Sequence, residues 1–329
     1  MNRRQTIPKE LRYTIEQFNE QFPNDDACFE TVAQRRYPNG MAHCEKCGTM
    51  RKHHRVTGRT AYACDRCGNH IFPLAGTIFQ KTTTKLRLWF YAIYLMTSTR
   101  CGISAKQIQR ETGVTYKTAW RMFRQIRSLL SEPDMQLGGS SLAPQHGVEV
   151  DEGYFGGRRK RGAGRLLRAD RDQKTIVVGA VERKGRVVAR VVPDATRETL
   201  HGIVKQYVLP STIVFTDEHQ SYAGLDEIPG KGYHHLRIKH EAKVYVMGQI
   251  HTQSIEGFWS LVKRGIGGVY HQVSQKYLQS YLNEYSFRYN RRDCGNLIFH
   301  DVLALAVQPL AVTPDPIDEK KIPETRVPF

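Results

Sequence analysis

Three acidic residues, far apart in the chain, stand where a side chain can reach into a crevice. Asp151 closes the run Gly147-Val-Glu-Val-Asp151, and Asp217 closes Ser211-Thr-Ile-Val-Phe-Thr-Asp217. Both runs read as β-strands, and a strand end lets a carboxylate leave the core. Glu256 lies in Ser254–Arg264, an amphipathic segment that reads as a helix. Together these are the hard oxygen donors that Mg2+ prefers. Two such ions, roughly 4 Å apart, can activate an attacking oxygen and neutralise a leaving one in phosphodiester chemistry. Any one of these acids alone is better explained as a cap or an ion-pair partner. Three in this order point to a metal site. Glu256, Ser260 and Lys263 fall at i, i+4 and i+7, so Lys263 shares the glutamate's helical face and can meet a phosphate.

A second donor set is made of sulfur. Cys44-Glu-Lys-Cys47 and Cys64-Asp-Arg-Cys67 are separated by sixteen residues, and each pair is followed by glycine (Gly48, Gly68). At this spacing two tight turns present four thiolates to one structural Zn2+, with the intervening residues as strands of a zinc ribbon. Cys28, Cys101 and Cys294 are expected to take no part. His43, His53, His54 and His70 lie nearby and read as surface or DNA-facing residues, since four cysteines already close a site. Seven cysteines, an odd number, argue against a secreted disulfide framework.

The elements that must position these groups need several domains. A length of 329 residues favours two or three, and a hydrophobic share of 40% can build real cores. Lys and Arg number 49 against 32 Asp and Glu, a net charge of +17 that suits a polyanion. The longest apolar stretch, Leu86–Met96, contains Arg87 and is too short to span a bilayer. The expected setting is soluble, reducing and cytoplasmic, with no membrane partner.

Along the chain, residues 1–40 form an N-terminal segment with helices near Thr14–Phe22 and Asp26–Arg36. Residues 41–82 form the ribbon. Residues 83–136 hold Leu86–Thr99, then Ser104–Glu111, a Thr-Gly-Val turn, and Thr115–Leu130. Ser104 and Thr115 are good N-caps, and Ile108, Val114, Ala119 and Trp120 could lock the last two helices together. This reads as a helix-turn-helix that offers Tyr116, Lys117, Thr118 and Arg121 to the major groove. Residues 137–146, with Gly138-Gly-Ser-Ser141, are a linker. In 147–295 the order is strand (148–151), strand (175–182), strand (186–192), helix (197–208), strand (212–217), then helices 254–264 and 273–292. That is the order of a ribonuclease-H-like core, with the Asp217 strand parallel to the Asp151 strand. Gly265-Ile-Gly-Gly268 is expected to end the Glu256 helix. Arg158, Arg159, Lys160 and Arg161 form a basic loop suited to phosphates. Residues 296–329, proline-rich after Val307, read as a C-terminal tail. The expected fold class is multidomain α+β: a zinc ribbon and helix-turn-helix, then an α/β ribonuclease-H-like catalytic domain.

Four motifs in order then carry a resemblance: V-E-V-D-E-x-Y-x-G-G (148–157), F-T-D-x-x-x-x-Y (215–222), H-T-x-S-I-E-G-F-W-S-x-x-K-R (251–264) and F-R-Y-N-R-R (287–292). The chain resembles the zinc-ribbon DDE transposases of bacterial insertion sequences, over about residues 44–292. The resemblance implies a triad of Asp151, Asp217 and Glu256 holding two Mg2+ or Mn2+, with Lys263 beside it and Arg264 on DNA. It implies binding of double-stranded terminal inverted repeats and target DNA, as a homodimer or larger assembly, with metal-dependent strand cleavage and transfer. Gln253 stands where the family pattern has Asn and keeps an amide there. The alternatives are a nuclease of the same fold that cuts without joining, and a DNA-binding regulator domesticated from a transposase.

Overall fold

The computed structural model describes residues 7–99, 101–139, 147–156, 174–238 and 253–310. The basic loop Arg158–Arg161 and His251 lie outside the described residues. The chain divides into two compact units, Met1–Leu129 with Asp293–Phe329, and Leu130–Arg292.

The first unit starts with α1 (Ile15–Gln21), closed by a capping box in which Thr14 Oγ1 accepts from the Gln17 amide and Gln17 Oε1 accepts from the Thr14 amide. In α2 (Asp25–Arg36), Asn24 caps the start, acids occupy the first turn and arginines the last, in the sense the helix dipole favours. A four-stranded antiparallel ribbon follows in sequence order: β1 (Met41–Cys44), β2 (Thr49–Arg55), β3 (Tyr62–Cys64) and β4 (His70–Ile71). These strands are too short to build a core alone. They lean on α2, where Phe29 stacks on Tyr62, the Tyr62 hydroxyl donates to Glu30, and Arg55 bonds to Asp26. Next come α3 (Leu86–Ser98), α4 (Ala105–Thr112) and α5 (Tyr116–Ser128). Gly113, at φ 72°, stops α4 in the left-handed conformation that a side chain resists.

The second unit is a mixed sheet between two helical layers. It contains β5 (Val148–Phe155), β6 (Thr175–Glu182), β7 (Val187–Val192), α6 (Arg197–Tyr207), β8 (Ile213–Thr216), β9 (His234–Arg237), α7 (Gln253–Gly265) and α8 (Gln275–Asn290). The strand order is β7-β6-β5-β8-β9. The first three strands form an antiparallel meander, while β8 runs parallel to β5 and β9 parallel to β8. One face buries Val148, Val150, Val178 and Ala180 against Leu200, Val204 and Tyr207 of α6. The other buries Val177, Val181 and Ala189 against Ile255, Phe258 and Val262 of α7 and Leu278, Leu282 and Tyr285 of α8. Full burial of such a side chain contributes about 1.5–3 kcal/mol.

The edge strand β7 is closed by side-chain amides of α8. Asn290 accepts from Val187 N–H at 2.7 Å and donates to the Val187 carbonyl at 3.1 Å. Gln279 accepts from Val191 N–H at 2.7 Å and donates to the Ala189 carbonyl at 3.0 Å. Arg291 bonds to Glu132, and Arg292 to the carbonyls of Lys184 and Gly185. The F-R-Y-N-R-R run is therefore, in good part, a clasp on the sheet.

The structure departs from sequence expectation at several points. The glycines after Arg264 do not end the helix; one π-helical turn, Ile266–Tyr270, continues to His271 at φ 59°. Gly265 is required there by close approach, because a Cβ would overlap the Tyr285 hydroxyl of α8. The stretch read as a tail from residue 296 includes α9 (Ile298–Ala306), which belongs to the first unit. Its Phe299 stacks on Tyr13 with centroids 4.9 Å apart. The strand β9 was not foreseen. His53, read as a surface residue, is buried, since β2 turns it under the ribbon beside Cys64.

Candidate functional site

The four cysteines meet. Cys44 Sγ lies 3.4 Å from Cys67 Sγ, and Cys47 Sγ lies 3.9 Å from Cys64 Sγ. All four sulfurs fall within 4.8 Å of one another. A tetrahedral Zn2+ with bonds of about 2.3 Å spaces its sulfurs about 3.8 Å apart, so the arrangement fits the ion. The turns that present them are matched: the amides of Cys47 and Gly48 bond to the Cys44 carbonyl, and the amide of Gly68 bonds to the Cys64 carbonyl. Gly48 and Gly68 both sit at φ 68°. A hydrogen bond from the Asn69 amide holds Cys67 down to about 7, while hydrogen bonding with Cys67 pushes Cys47 up to about 12. Cys28, Cys101 and Cys294 lie outside the cluster.

The acids are arranged by the sheet. The parallel register pairs Val148 with Val214 and Glu149 with Phe215. Continued along both strands, it sets Asp151 beside Asp217. Burial pushes the Asp151 carboxyl up to about 6, with Glu152 and then Asp217 adding to it, and a hydrogen bond from Trp259 opposing them. Trp259 Nε1 donates to Asp151 Oδ2 at 3.0 Å. On the opposite face of β5, Glu152 accepts from the buried Tyr222 hydroxyl at 2.8 Å. Asp151 and Asp217 are thus neighbouring carboxylates, oxygen donors of the kind that suits a divalent cation.

Glu256 is exposed near the start of α7, on one face with exposed Ser260 and Lys263. The helix lies close on the sheet because β5 and β6 carry glycines beneath it. A Cβ on Gly179 would come within 2.7 Å of the Trp259 ring and 2.8 Å of Ile255. Among the described residues, the cysteines are the group of three or more donors drawn within 4.8 Å; Asp151, Asp217 and Glu256 are not closed to that spacing. Arg264 is exposed, its Nε donating to the Ser260 carbonyl.

The α4–turn–α5 unit shows which side chains are committed. Thr118 is held in the N-cap by its hydroxyl and amide, both bonded to Thr115 Oγ1. Lys106 lies over the Tyr116 ring, and Arg121 over Trp89. Lys117 is exposed. Ile108 and Ala119 are buried between the helices.

Residues 143–290 match the ISXO2-like transposase domain, and residues 23–70 match the transposase zinc-ribbon domain. The chain belongs to the zinc-ribbon DDE transposases of insertion sequences. This transposase is 28% identical over 283 residues to an uncharacterized protein in transposable element ISH50 of Halobacterium salinarum, covering 81% of this chain and 91% of that one. It is also 29% identical over 115 residues to an uncharacterized transposase-like protein of Haemophilus influenzae, covering 35% of this chain and 89% of the relative. A solved structure, the simian T-cell lymphotropic virus intasome in complex with PP2A regulatory subunit B56 gamma, matches with TM-score 0.28 and 13% identity over 54% of this chain and 63% of that one, too low a likeness to bear on the fold. No helix among the described residues of the transposase is long and apolar enough to cross a membrane.

Around the three candidate acids, the sequence reading gives no role to Glu149, Arg183, Trp259 or Tyr222. Trp259 and Tyr222 stand inside the quoted motifs. Glu149 carried one usable signal: a charge flanked by valines in a strand that both helical layers cover.

Proposed function

We propose that Asp151, Asp217 and Glu256 hold two Mg2+ or Mn2+ ions in a ribonuclease-H-like core, and that the protein binds the terminal inverted repeats of its element, cuts DNA strands and joins them to target DNA. The observation that carries this reading is the β5–β8 register, which brings Asp151 and Asp217 side by side from positions 66 residues apart. The strand order β7-β6-β5-β8-β9, an antiparallel meander with parallel strands added, supports the core assignment. When bound, the ions would supply an activated oxygen nucleophile and charge neutralisation at phosphorus. The protein's part is to hold the acids, with Trp259 orienting Asp151 and α7 presenting Glu256. Lys263, exposed two turns along the same face, is placed to grip a phosphate near the cut. The helix pair α4–α5 reads as the end-recognition element, with Lys117 the exposed cation near the start of α5. Assembly as a homodimer on paired ends belongs to the same proposal.

The test replaces each carboxylate by its amide, which keeps shape and removes the charge. Asp151→Asn, Asp217→Asn and Glu256→Gln should each abolish strand cleavage and leave retention of element-end DNA nearly intact. Double variants should be little worse than single ones, because the three act as a unit. Lys263→Ala should be milder. Near-normal cleavage by Glu256→Gln would show that the third ligand lies elsewhere.

A further inference from the structure

Glu149 is fully buried, at 0% exposure, two residues before Asp151 on the same face of β5. Its carboxylate is shared between two sets of partners. Oε1 accepts from Arg183 Nε at 2.9 Å. Oε2 accepts from the backbone amides of Ser254 and Ile255 at 2.8 and 3.0 Å. Those amides belong to the first turn of α7, where N–H groups have no partner within the helix and a negative charge is favoured. Arg183 in turn lies over the Phe215 ring of β8, 3.7 Å from its centroid, and its backbone amide bonds to the Gly147 carbonyl at 3.0 Å.

One ion pair thus touches β5, β8 and α7. These are the elements that carry Asp151, lead into Asp217, and carry Glu256. A buried ion pair is a poor stabiliser, because desolvating both charges offsets much of their attraction, and apolar replacements often do as well. What an apolar pair could not do is fix a helix terminus to two strands by directed hydrogen bonds. We propose that Glu149, backed by Arg183, is a positioning residue that sets the spacing of Asp151, Asp217 and Glu256. The proposal rests on the reading of those three acids as metal ligands. Groups that hold metal ligands in place typically contribute about 10- to 100-fold in metal affinity.

The test uses full-length protein without DNA and Mn2+ as the probe, titrated by electron paramagnetic resonance. Glu149→Gln keeps the shape but turns an amide NH2 toward donors that need an acceptor. Glu149→Asp keeps the charge that Arg183 requires, so the interior stays balanced, but is one methylene too short for both sets of partners. Both variants should weaken Mn2+ binding about 10- to 100-fold and speed hydrogen exchange at the Ser254 and Ile255 amides. Leu200→Ala, in the core on the other face of the sheet, should lower the Tm while leaving Mn2+ affinity unchanged. Wild-type Mn2+ affinity in a folded Glu149 variant would overturn the positioning role and leave a structural ion pair. Asp151→Asn reports separately: if it binds Mn2+ as well as the wild type, the acids are not metal ligands, whatever the Glu149 variants do.

Discussion

The indole nitrogen of Trp259 donates to the Asp151 carboxylate at 3.0 Å, tying the second turn of α7 to β5. The same ring rests over Gly153 and Gly179, so packing and hydrogen bond come from one side chain. Trp259→Phe keeps most of the packing and removes the donor. Single-turnover strand cleavage should fall by about 10- to 100-fold, with gel-shift affinity for element ends unchanged. Wild-type cleavage would reduce the indole to a packing role.

Removing zinc should unfold the ribbon selectively. Its strands run from two to seven residues and have little apolar area of their own. Metal analysis should give about one equivalent per chain. A chelator should release it with loss of circular dichroism and of DNA binding, and added Zn2+ should restore both. A folded, DNA-binding preparation without zinc would remove the assignment.

Lys117 and Arg121 should behave differently, although both lie near the start of α5. Lys117 is exposed. Lys117→Ala should lower affinity for element ends and, if the contact is to phosphate, reduce the salt slope by about 1 without changing sequence preference. Arg121 lies over Trp89, so Arg121→Ala should also lower the Tm. Equal Tm losses in the two variants would contradict this division.

A pH dependence follows from His235. Burial pushes its imidazole down to about 4 from the ordinary 6.5, with the Arg237 charge adding, and its Nε2 lies 2.8 Å from Thr216 Oγ1. Above pH 6.5 the ring is neutral folded or unfolded, and its contribution is fully present. As pH falls from 6.5 through 4 the unfolded chain takes up the proton first, so stability is lost. Thermal unfolding between pH 7 and 4 should show a shallower decline in His235→Gln than in the wild type. Parallel curves would mean that His235 is not the group responsible.

Much of the scaffold could be read from local chemistry. Ser104 and Thr115 cap helices as their positions suggest, because capping depends only on the next three residues. The β6 and β7 runs are valine-rich enough to declare themselves. By contrast, β9 is His234-His-Leu-Arg237, with no apolar alternation, and it is a strand because β8 offers it an edge. Ile298, Phe299, Val302, Leu303 and Ala306 do carry helical spacing, masked by the prolines beyond them. Of the acids proposed as metal ligands, Asp151 and Asp217 stand out in the sequence by type and strand position. Glu149 does not, because a glutamate between valines resembles the wet side of an alternating strand until α7 and Arg183 close over it.

The amide rungs on β7 also impose an order on synthesis. Val187 waits for Asn290, 103 residues later, and Val191 waits for Gln279, 88 residues later. At about 5–20 residues per second, the valine-rich edge stays uncovered for roughly 5 to 20 s after it leaves the ribosome. Chains stalled or truncated before α8 present an open strand to one another, which is a template for aggregation. Because α8 closes that edge only late in synthesis, incomplete chains are the ones most exposed to mispairing and removal.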